Sequence, residues 1–415
     1  MKMPTSLPRL CAMFLLLLLS TVARGQYIPL WHSAKGDSLL LASDRVWSYN
    51  LYEHSRWGAG FRFVHASPDK PSRFVADGYA GYGTRDKHTK WGLTLDAVRI
   101  AKHERHRYVS AAYDLFAVGN RHLSRPSLTD LSTYDAFMSR RLYHAERVAV
   151  GWRRHRGAGH WTSIELRYSA ERSLFDSTGL LYPARYHHPY KKTLYGYTEL
   201  EVGFWNPDAI TLLLTLGSTE ESDNCMPLTY LRALAQYDHT FHPAQWLDVR
   251  LFAQGGWCDG LEHKVPYSRM FDLGGSWGSS FYIGSSMLSA RPNEFTANIF
   301  ALASLRICAA RPLWNIWNDV CQVGSHPRPF AGVGYAWGHL WRQDSDGHCR
   351  QGFDLQAPHR GVGEAVAGIN GMVRWGLVDW GLAVAYRLTP HDAIYHFAQR
   401  ADNIALLITA SITMQ

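Results

Sequence analysis

The sequence lacks an internal apolar run long enough to cross a membrane as a helix. A helical span needs about 20 consecutive apolar residues, and after the N-terminal region no stretch of 18 occurs among the 415 residues. An inner-membrane helical protein is therefore excluded. For an exported chain, this leaves a periplasmic protein, a secreted protein or a β-barrel of the outer membrane.

Cysteine is scarce and irregularly spaced. Five cysteines follow the N-terminal region, at Cys225, Cys258, Cys308, Cys321 and Cys349. Their number is odd and no C-x-x-C is present, so neither a disulfide framework nor a zinc site is predicted. One bridge between Cys308 and Cys321 stays open, against the alternative of unpaired thiols.

Two motifs typical of cofactor binding or catalysis are missing. The sequence contains no phosphate-binding glycine loop and no His-Glu-x-x-His. We therefore predict no catalytic, cofactor-binding or metal-binding residue and no cofactor. The pairs His103/His106 and His239/His242, and the doublet His187-His188, are interpreted as ordinary polar residues and not as ligands.

The N-terminus has the three parts of an export signal. Lys2 and Arg9 are basic, residues 13–19 are apolar, and residues 23–25 read Ala-Arg-Gly, a small-x-small cleavage site. We predict a signal peptide over 1–25 that is cleaved near Gly25, a short periplasmic segment over 26–45, and one barrel domain over 46–415. The alternative is an uncleaved anchor.

The composition fits a barrel in the outer membrane. Aromatic residues make up 13% of the chain, with 16 Trp and 22 Tyr, whereas charged residues make up only 19%. Barrels need aromatic girdles at both interfaces and small residues facing the lumen. A soluble β-protein could share this composition, so the distinction between it and a membrane barrel depends on the pattern of residues along the chain.

Alternation of apolar and polar residues with period two is the main signal. In 160–171, Ile164, Leu166 and Tyr168 share one face, and Arg167 lies on the other. The same pattern recurs in 378–388 and 404–414, as expected for strands with one lipid face and one lumen face. Further strands are predicted at 57–66, 73–86, 91–98, 108–118, 145–154, 192–205, 209–217, 229–239, 247–254, 294–307, 331–338 and 361–375.

The strands of a soluble sandwich also alternate, but the position of the tryptophans favours a membrane barrel. Several tryptophans stand near strand ends, where interfacial belts lie: Trp91, Trp152, Trp161, Trp246, Trp337 and Trp375. We therefore predict an all-β fold, a transmembrane antiparallel up-and-down β-barrel. A secreted β-sandwich that binds glycans stays as an alternative.

Connection lengths set the predicted strand number and orientation. Connections near 101–106, 155–159, 206–208, 241–245 and 376–377 are short, as in periplasmic turns, and those near 119–140, 172–191, 218–228, 341–359 and 389–402 are long, as in extracellular loops. This alternation requires 258–293 to be one extracellular excursion and a further strand to lie within 37–50. The predicted number of strands is 16, with 14 as the second choice.

Three stretches near the start of the predicted barrel carry a family resemblance: Arg56–Phe63 (RWGAGFRF), Gly78–Asp86 (GYAGYGTRD) and Lys90–Leu93 (KWGL). With Pro358–Gly361 and Asp402–Leu406 near the end, they resemble the barrel of outer-membrane proteins with carboxypeptidase-regulatory-like N-terminal domains. Those barrels are similar to the 16-stranded BamA-like surface-antigen barrels. The chain departs from both groups, because it has neither the regulatory-like domain nor a Val-Arg-Gly-Phe motif within 258–293.

Charged residues are predicted in two places. Inside the strands, lumen-facing ladders are expected from Asp96, Asp114, Glu165, Arg167, Asp248, Arg250, Asp379 and Arg387. At the turns, basic clusters at 105–107 and 153–156 contribute to the net charge of +8. On a barrel they would face lipopolysaccharide phosphates or anionic solutes, unless they are simply solvated.

The predicted function is an outer-membrane β-barrel, either a pore or an accessory surface protein, that is not an enzyme. The expected partners are outer-membrane lipid and lipopolysaccharide, and the barrel assembly machinery during insertion, but not nucleic acid. An outer-membrane enzyme that acts on lipid or lipopolysaccharide is the alternative from another class.

Overall fold

The structure is a computed structural model. It describes residues 27–34, 36–42, 45–50, 53–66, 71–117, 142–157, 159–173, 195–206, 210–219, 228–260, 269–273, 287–290, 295–318, 323–340, 348–349, 353–354, 357–375, 378–389 and 403–412. The signal peptide predicted over 1–25 lies outside these residues, as do Cys321 and the His187-His188 doublet.

The described residues form strands and their connections, without a helix among them. The strands are β1 (Tyr27–His32), β2 (Ser38–Ala42), β3 (Trp47–Asn50), β4 (His54–Ala66), β5 (Ser72–Gly83), β6 (Thr89–Ile100), β7 (Glu104–Ala117), β8 (Leu142–His155), β9 (Trp161–Ser173), β10 (Tyr195–Trp205), β11 (Ile210–Thr219), β12 (Leu228–Ala244), β13 (Leu247–Gly260), β14 (Phe271–Asp272), β15 (Thr296–Ala297), β16 (Ile299–Ala309), β17 (Ile316–Asn318), β18 (Val323–Ser325), β19 (Arg328–His339), β20 (His348–Cys349), β21 (Phe353–Asp354), β22 (Val362–Trp375), β23 (Val378–Arg387) and β24 (Ile404–Ile412).

One antiparallel sheet contains 20 of these strands. From β4 to β13 each strand pairs with the next along the chain, and the sheet continues through β16, β19, β22, β23 and β24. This is the up-and-down order that was predicted. The remaining short strands form two separate pairs, β14–β15 and β20–β21.

The N-terminal strands lie at one edge of this sheet. β2 pairs with Phe61–Val64 of β4 and β3 pairs with His54–Trp57, so the two short strands follow one another along the same edge. They occupy the stretch in which one more strand was predicted. β1 pairs with β2, so part of the predicted segment 26–45 belongs to the sheet.

The 20 strands exceed the predicted 16. The excess consists of β1, the short hairpin β17–β18, and the division of one edge strand into β2 and β3. How many strands cross the membrane stays a prediction.

The two faces of the sheet are inverted relative to a soluble protein. On β9, the Leu166 side chain is 49% exposed, whereas the neighbouring Arg167 is 9% exposed. β6 alternates in the same way, with Leu93 and Leu95 exposed and Asp96 buried. A sandwich would bury its apolar face, so this sheet is the wall of a transmembrane β-barrel, with its charged side chains on the inner face.

The described residues contain no helix long and apolar enough to span a membrane.

Tryptophan placement follows the predicted belts only in part. Trp91 and Trp246 are exposed, but Trp161 stacks on His155, with ring centroids 4.4 Å apart, and packs against the interior core. Trp161 therefore faces the lumen, and its position near a strand end does not place it in the lipid belt.

From β6 to β13 and again from β19 to β24, the strand connections alternate in length, as predicted, whereas the connection 84–88 between β5 and β6 is short at the end where the others are long. At one end, the short-turn end, connections span 67–71, 101–103, 156–160, 245–246 and 376–377. At the other end they span 118–141, 174–194, 261–298, 340–361 and 388–403. The hairpin β17–β18 is an addition at the short-turn end that the sequence pattern did not indicate.

The lipid-facing assignment predicts a large effect of charge at Leu166. Its cross-strand neighbours Val150 and Leu200 are also exposed, so an arginine there would enter the apolar band. We expect Leu166→Arg to destabilise the folded protein in lipid by about 2–4 kcal/mol, measured by reversible urea unfolding in vesicles. Leu166→Ala, which introduces no charge, is the control. Equal stability of the arginine and alanine variants would contradict a lipid-facing Leu166.

Candidate functional site

The interior of the barrel is occupied by residues from the connection between β13 and β16. We call Arg269–Leu273, Met287–Ala290 and Phe295–Asn298 the inward segment. Of the twelve side chains in this segment whose exposure the structure describes, eight are apolar, and all twelve are nearly inaccessible to solvent. The prediction that 258–293 forms an extracellular excursion is therefore wrong for Arg269–Leu273 and Met287–Ala290.

Apolar packing explains why the inward segment stays inside. Phe271 and Phe295 are fully buried in a core cluster with side chains of the wall, among them Tyr230, Phe252 and Phe300. The rings of Phe271 and Phe300 lie with centroids 4.7 Å apart. Aromatic side chains bury large areas when they pack in this way, so the lumen contains a core that resembles that of a soluble domain.

A glycine in the wall makes room for this core. A Cβ atom added at Gly256 on β13 would lie 2.6 Å from Cζ of Phe271 and 2.3 Å from Cε1 of Phe300. No larger residue fits there unless these rings move. Part of the high glycine content therefore serves the packing of lumenal aromatic side chains.

Arg269 forms the first anchor of the inward segment. Its Nη2 and Nη1 atoms donate to the two carboxylate oxygens of Glu171 on β9, at 2.8 and 3.0 Å. Its Nε atom donates to Oε1 of Glu199 on β10 at 2.7 Å. The hydroxyl of Tyr230 on β12 donates to the same oxygen, also at 2.7 Å. The guanidinium carbon stands 4.1 Å from the centre of the Tyr197 ring.

This anchor uses the full geometry of arginine. The planar guanidinium matches a carboxylate with two parallel bonds and stacks on an aromatic face at the same time, which lysine cannot do. Burial by itself lowers the pKa of the Arg269 guanidinium, but the charges of Glu171 and Glu199 outweigh it and raise the pKa well above its ordinary value. Arg269 is therefore a permanent cation.

A second anchor holds the inward segment on another part of the wall. The backbone N–H of Ser289 donates to Oε2 of Glu364 on β22 at 2.8 Å. The Nη2 atom of Arg387 on β23 donates to the backbone oxygen of Ser289 at 3.0 Å. The inward segment is thus attached to β9–β12 through Arg269 and to β22–β23 through Ser289, on two separate stretches of the wall.

A second buried charge cluster lies near the start of β4. Lys90 and Glu53 are both inaccessible to solvent, and Nζ of Lys90 is 2.6 Å from Oε1 of Glu53. Lys90 also pairs with Asp86. Arg56 joins the cluster, with its Nη2 atom 2.9 Å from Glu53 and 2.6 Å from Asp114. Buried charges are tolerated where they are paired in this way.

The eight lumen charges predicted from the sequence all have ionic or polar partners. Asp96 contacts His106, Asp114 contacts Arg56, Glu165 contacts Tyr108 and Arg167, Arg167 also contacts Glu199 and Glu201, Asp248 contacts His242, Arg250 contacts Asp238, Asp379 contacts His326, and Arg387 contacts Ser289. Within the described residues they form local networks along the wall and do not converge on one reaction centre.

The histidine pairs are not arranged as a shared ligand site. His239 and His242 lie on β12, where side chains three positions apart point to opposite faces. His242 bonds Asp248, and His239 packs edge-on against Phe241. His106 bonds Asp96. In the part of the chain that the structure describes, no group of three or more His, Cys, Asp or Glu is placed to hold a metal ion.

The Arg269 anchor was not found from the sequence. The chain lacks a Val-Arg-Gly-Phe motif in this region and has Arg269 followed by Met270 and Phe271. The apolar residues that follow this arginine are the sequence signal that could have placed it inside the barrel. A solvated loop at the cell surface has little reason to carry Met270, Phe271 and Leu273 so close together.

Comparisons with known proteins find similarity to solved structures only. No family model matches the chain, and no curated protein matches it. The structure of BamA from Haemophilus ducreyi lacking POTRA domains 1–3 matches with 10% identity and a TM-score of 0.48, over 96% of this chain and 78% of that one. CdiB from Acinetobacter baumannii matches with 10% identity and a TM-score of 0.41, over 86% of this chain.

CdiB from Escherichia coli matches with 10% identity and a TM-score of 0.41, over 95% of this chain and 69% of that one. The present chain spans 56% of the length of the Acinetobacter protein. At such identities and scores, the assignment of the fold rests on the inverted faces of the wall.

Proposed function

We propose that this protein is a β-barrel of the Gram-negative outer membrane whose lumen is closed by its own inward segment. Of the two alternatives left by the sequence, a pore or an accessory surface protein, the occupied lumen favours the accessory protein. In this proposal the protein carries out no catalysis, and its partners are the lipids around the wall.

The membrane part of the proposal is supported by the wall. One face of the wall exposes many large apolar side chains, among them Leu166, Val150 and Val333. A soluble protein rarely exposes an apolar surface of this size to water. The pattern of short and long connections supports an orientation with the short-turn end in the periplasm.

The closed lumen is supported by one observation above all, the four-part environment of Arg269. A guanidinium that bonds Glu171 and Glu199, contacts Tyr230 and stacks on Tyr197 fixes the inward segment in the barrel interior. Buried charge-assisted bonds are among the strongest polar contacts available to a protein. The segment is therefore a permanent part of the interior in this proposal.

The route to the membrane follows from the sequence. In the proposal, residues 1–25 are a signal peptide that is cleaved near Gly25, and the barrel assembly machinery inserts the mature chain. Membership of the carboxypeptidase-regulatory-like barrel family is part of the same proposal, and it is supported by the resemblance of Arg56–Phe63 and Gly78–Asp86 to that family.

Conductance of the wild-type protein tests the closed lumen. After reconstitution in planar bilayers we expect no large, steady conductance, because the inward segment fills the space between the walls. Insertion is checked separately by membrane fractionation and by a heat-dependent mobility shift on a detergent gel. A stable open channel from inserted protein would contradict the closed lumen, and recovery in the aqueous fraction without a mobility shift would contradict the barrel.

A further inference from the structure

Three arginines stand in line on the outer face of the wall. Arg99 on β6 is directly opposite Arg105 on β7, and Arg105 is directly opposite Arg154 on β8. We call these three residues the arginine row. Arg107 lies two positions further along β7, beside Ala97 and Trp152.

The arginine row faces away from the lumen. Residues an even number of positions apart lie on the same face of a strand. Arg99 therefore shares a face of β6 with the exposed Leu93 and Leu95, and Arg105 shares a face of β7 with the exposed Val109. Arg154 shares a face of β8 with the exposed Val148 and Val150, whereas its neighbour Arg153 lies on the other face and is buried. The three guanidinium groups therefore project from the lipid-facing side of the wall.

Like charges in this arrangement repel one another. Directly opposed residues of an antiparallel pair have Cβ atoms about 4.5–5.5 Å apart, and like charges there are destabilising. In the described part of the chain no carboxylate stands within ion-pair distance of the arginine row. Glu104, adjacent to Arg105, pairs instead with Arg73 and with His155. Among the described residues, the positive charge of the arginine row is therefore not balanced by a carboxylate.

The surroundings place this charge at the boundary of the apolar band. The arginine row lies beside the turns at 101–103 and 156–160, at the short-turn end. One step further into the wall, Trp152 lies between Arg107 and Ile164. Tryptophan and arginine side by side at the edge of an apolar surface are typical of the headgroup level of a membrane.

We propose that the arginine row, together with Arg107, binds the phosphate group of an anionic phospholipid in the leaflet at the short-turn end. The acyl chains would then lie along the apolar wall, which begins at Val109 and Ile164. This inference rests on the membrane insertion and orientation of the proposed function, but not on the closed lumen. It also changes the ligand expected for the basic clusters, because lipopolysaccharide occupies the opposite leaflet.

The electrostatics of the adjoining turn agree with a concentrated positive charge. The pKa of His103, in the turn between β6 and β7, lies below its ordinary value. Desolvation lowers it, and the positive charges of Arg154 and Lys102 lower it further. Arg156, in the next turn, adds to the same field.

The test compares lipid retention by matched variants. Wild-type protein and Arg105→Gln/Arg154→Gln are purified in zwitterionic detergent and given equal amounts of phosphatidylglycerol and phosphatidylcholine, and bound lipid is measured by native mass spectrometry. The control, Arg311→Gln/Arg328→Gln, removes two exposed arginines from the β16–β19 side of the same end. Inorganic phosphate is added in a parallel series to distinguish a lipid site from a general phosphate site.

We expect wild type and control to retain phosphatidylglycerol selectively, and the row variant to lose between about 10- and 30-fold in affinity for it. Inorganic phosphate should not displace the lipid. Equal retention of the two lipids by wild type, an equal loss in the control, or displacement by phosphate would each overturn the proposal.

Stability provides a second readout that separates binding from folding. Because the three guanidinium groups repel one another, the row variant should melt no lower than wild type in zwitterionic detergent. Added phosphatidylglycerol should raise the melting temperature of wild type more than that of the variant. If the double variant fails to fold, Arg154→Gln is used for the same comparison. Failure of the protein to enter membranes would contradict the proposed function, whereas inserted protein without lipid selectivity would contradict this inference alone.

Discussion

Replacement of Arg269 by alanine is expected to turn a closed barrel into a conducting one. The substitution leaves Glu171 and Glu199 buried without the cation that joins them to the inward segment. Removing one partner of a buried ion pair costs about 3–5 kcal/mol, and this loss weakens the attachment to β9–β12 so that the segment leaves the wall there for part of the time, although its apolar core and the Ser289 contacts remain. The strand pairing of the wall does not depend on Arg269, so the variant should still insert. Single-channel recording should show open events that wild type lacks.

Two further variants make this experiment specific. Arg269→Lys keeps the charge but loses the two-pronged bond and the stacking on Tyr197, so we expect an intermediate open fraction. Arg250→Ala removes an arginine whose bidentate partner is Asp238 on the neighbouring strand. It should lower stability without opening the lumen. Inserted Arg269→Ala protein that conducts no better than Arg250→Ala would contradict the role of the anchor.

Replacement of Lys90 by methionine is expected to cause the largest loss of stability among wall substitutions. Lys90 is fully buried between Glu53 and Asp86, and methionine would leave these carboxylates with one cation fewer. The expected loss is about 3–5 kcal/mol, measured by urea unfolding in vesicles. The fraction that keeps the folded mobility on an unheated gel should fall with it.

The double variant Lys90→Met/Asp86→Asn serves as the control for this interpretation. If the loss of stability in Lys90→Met arises from an unpaired carboxylate, removal of the Asp86 charge should restore part of that stability. A double-mutant cycle should then give a coupling free energy of about 0.5–3 kcal/mol. Additive effects of the two substitutions would show instead that Lys90 acts through packing.

The wall could be predicted from the sequence because its signal is local. Leu166 is apolar because it faces lipid, and Arg167 is charged because it faces the lumen. This alternation of apolar and polar residues is visible without knowledge of the partner strands. The alternation of short and long connections is equally local, and it led to the further strand within 37–50. The same reasoning wrongly placed Trp161 in the interfacial belt, because a residue near the end of a strand can face either the lipid or the lumen.

The contents of the lumen could not be predicted in this way. Arg269 meets Glu171 and Glu199, which lie 98 and 70 residues earlier in the chain. No spacing in the sequence links them, since the contact depends on how the wall curves. Arg269 does not belong to the Val-Arg-Gly-Phe motif, although the apolar residues after it fit a buried position. Interior charges such as Arg387 were assigned to the correct face, but their partners required the fold.

The inward segment is attached to the wall at both Arg269 and Ser289, and it therefore connects two separate stretches of the barrel. Here β9–β12 and β22–β23 are tied through a packed core, so neither stretch of wall can move outward without pulling on the other. The cross-section of the lumen is therefore set by the segment that fills it as much as by the strands that surround it.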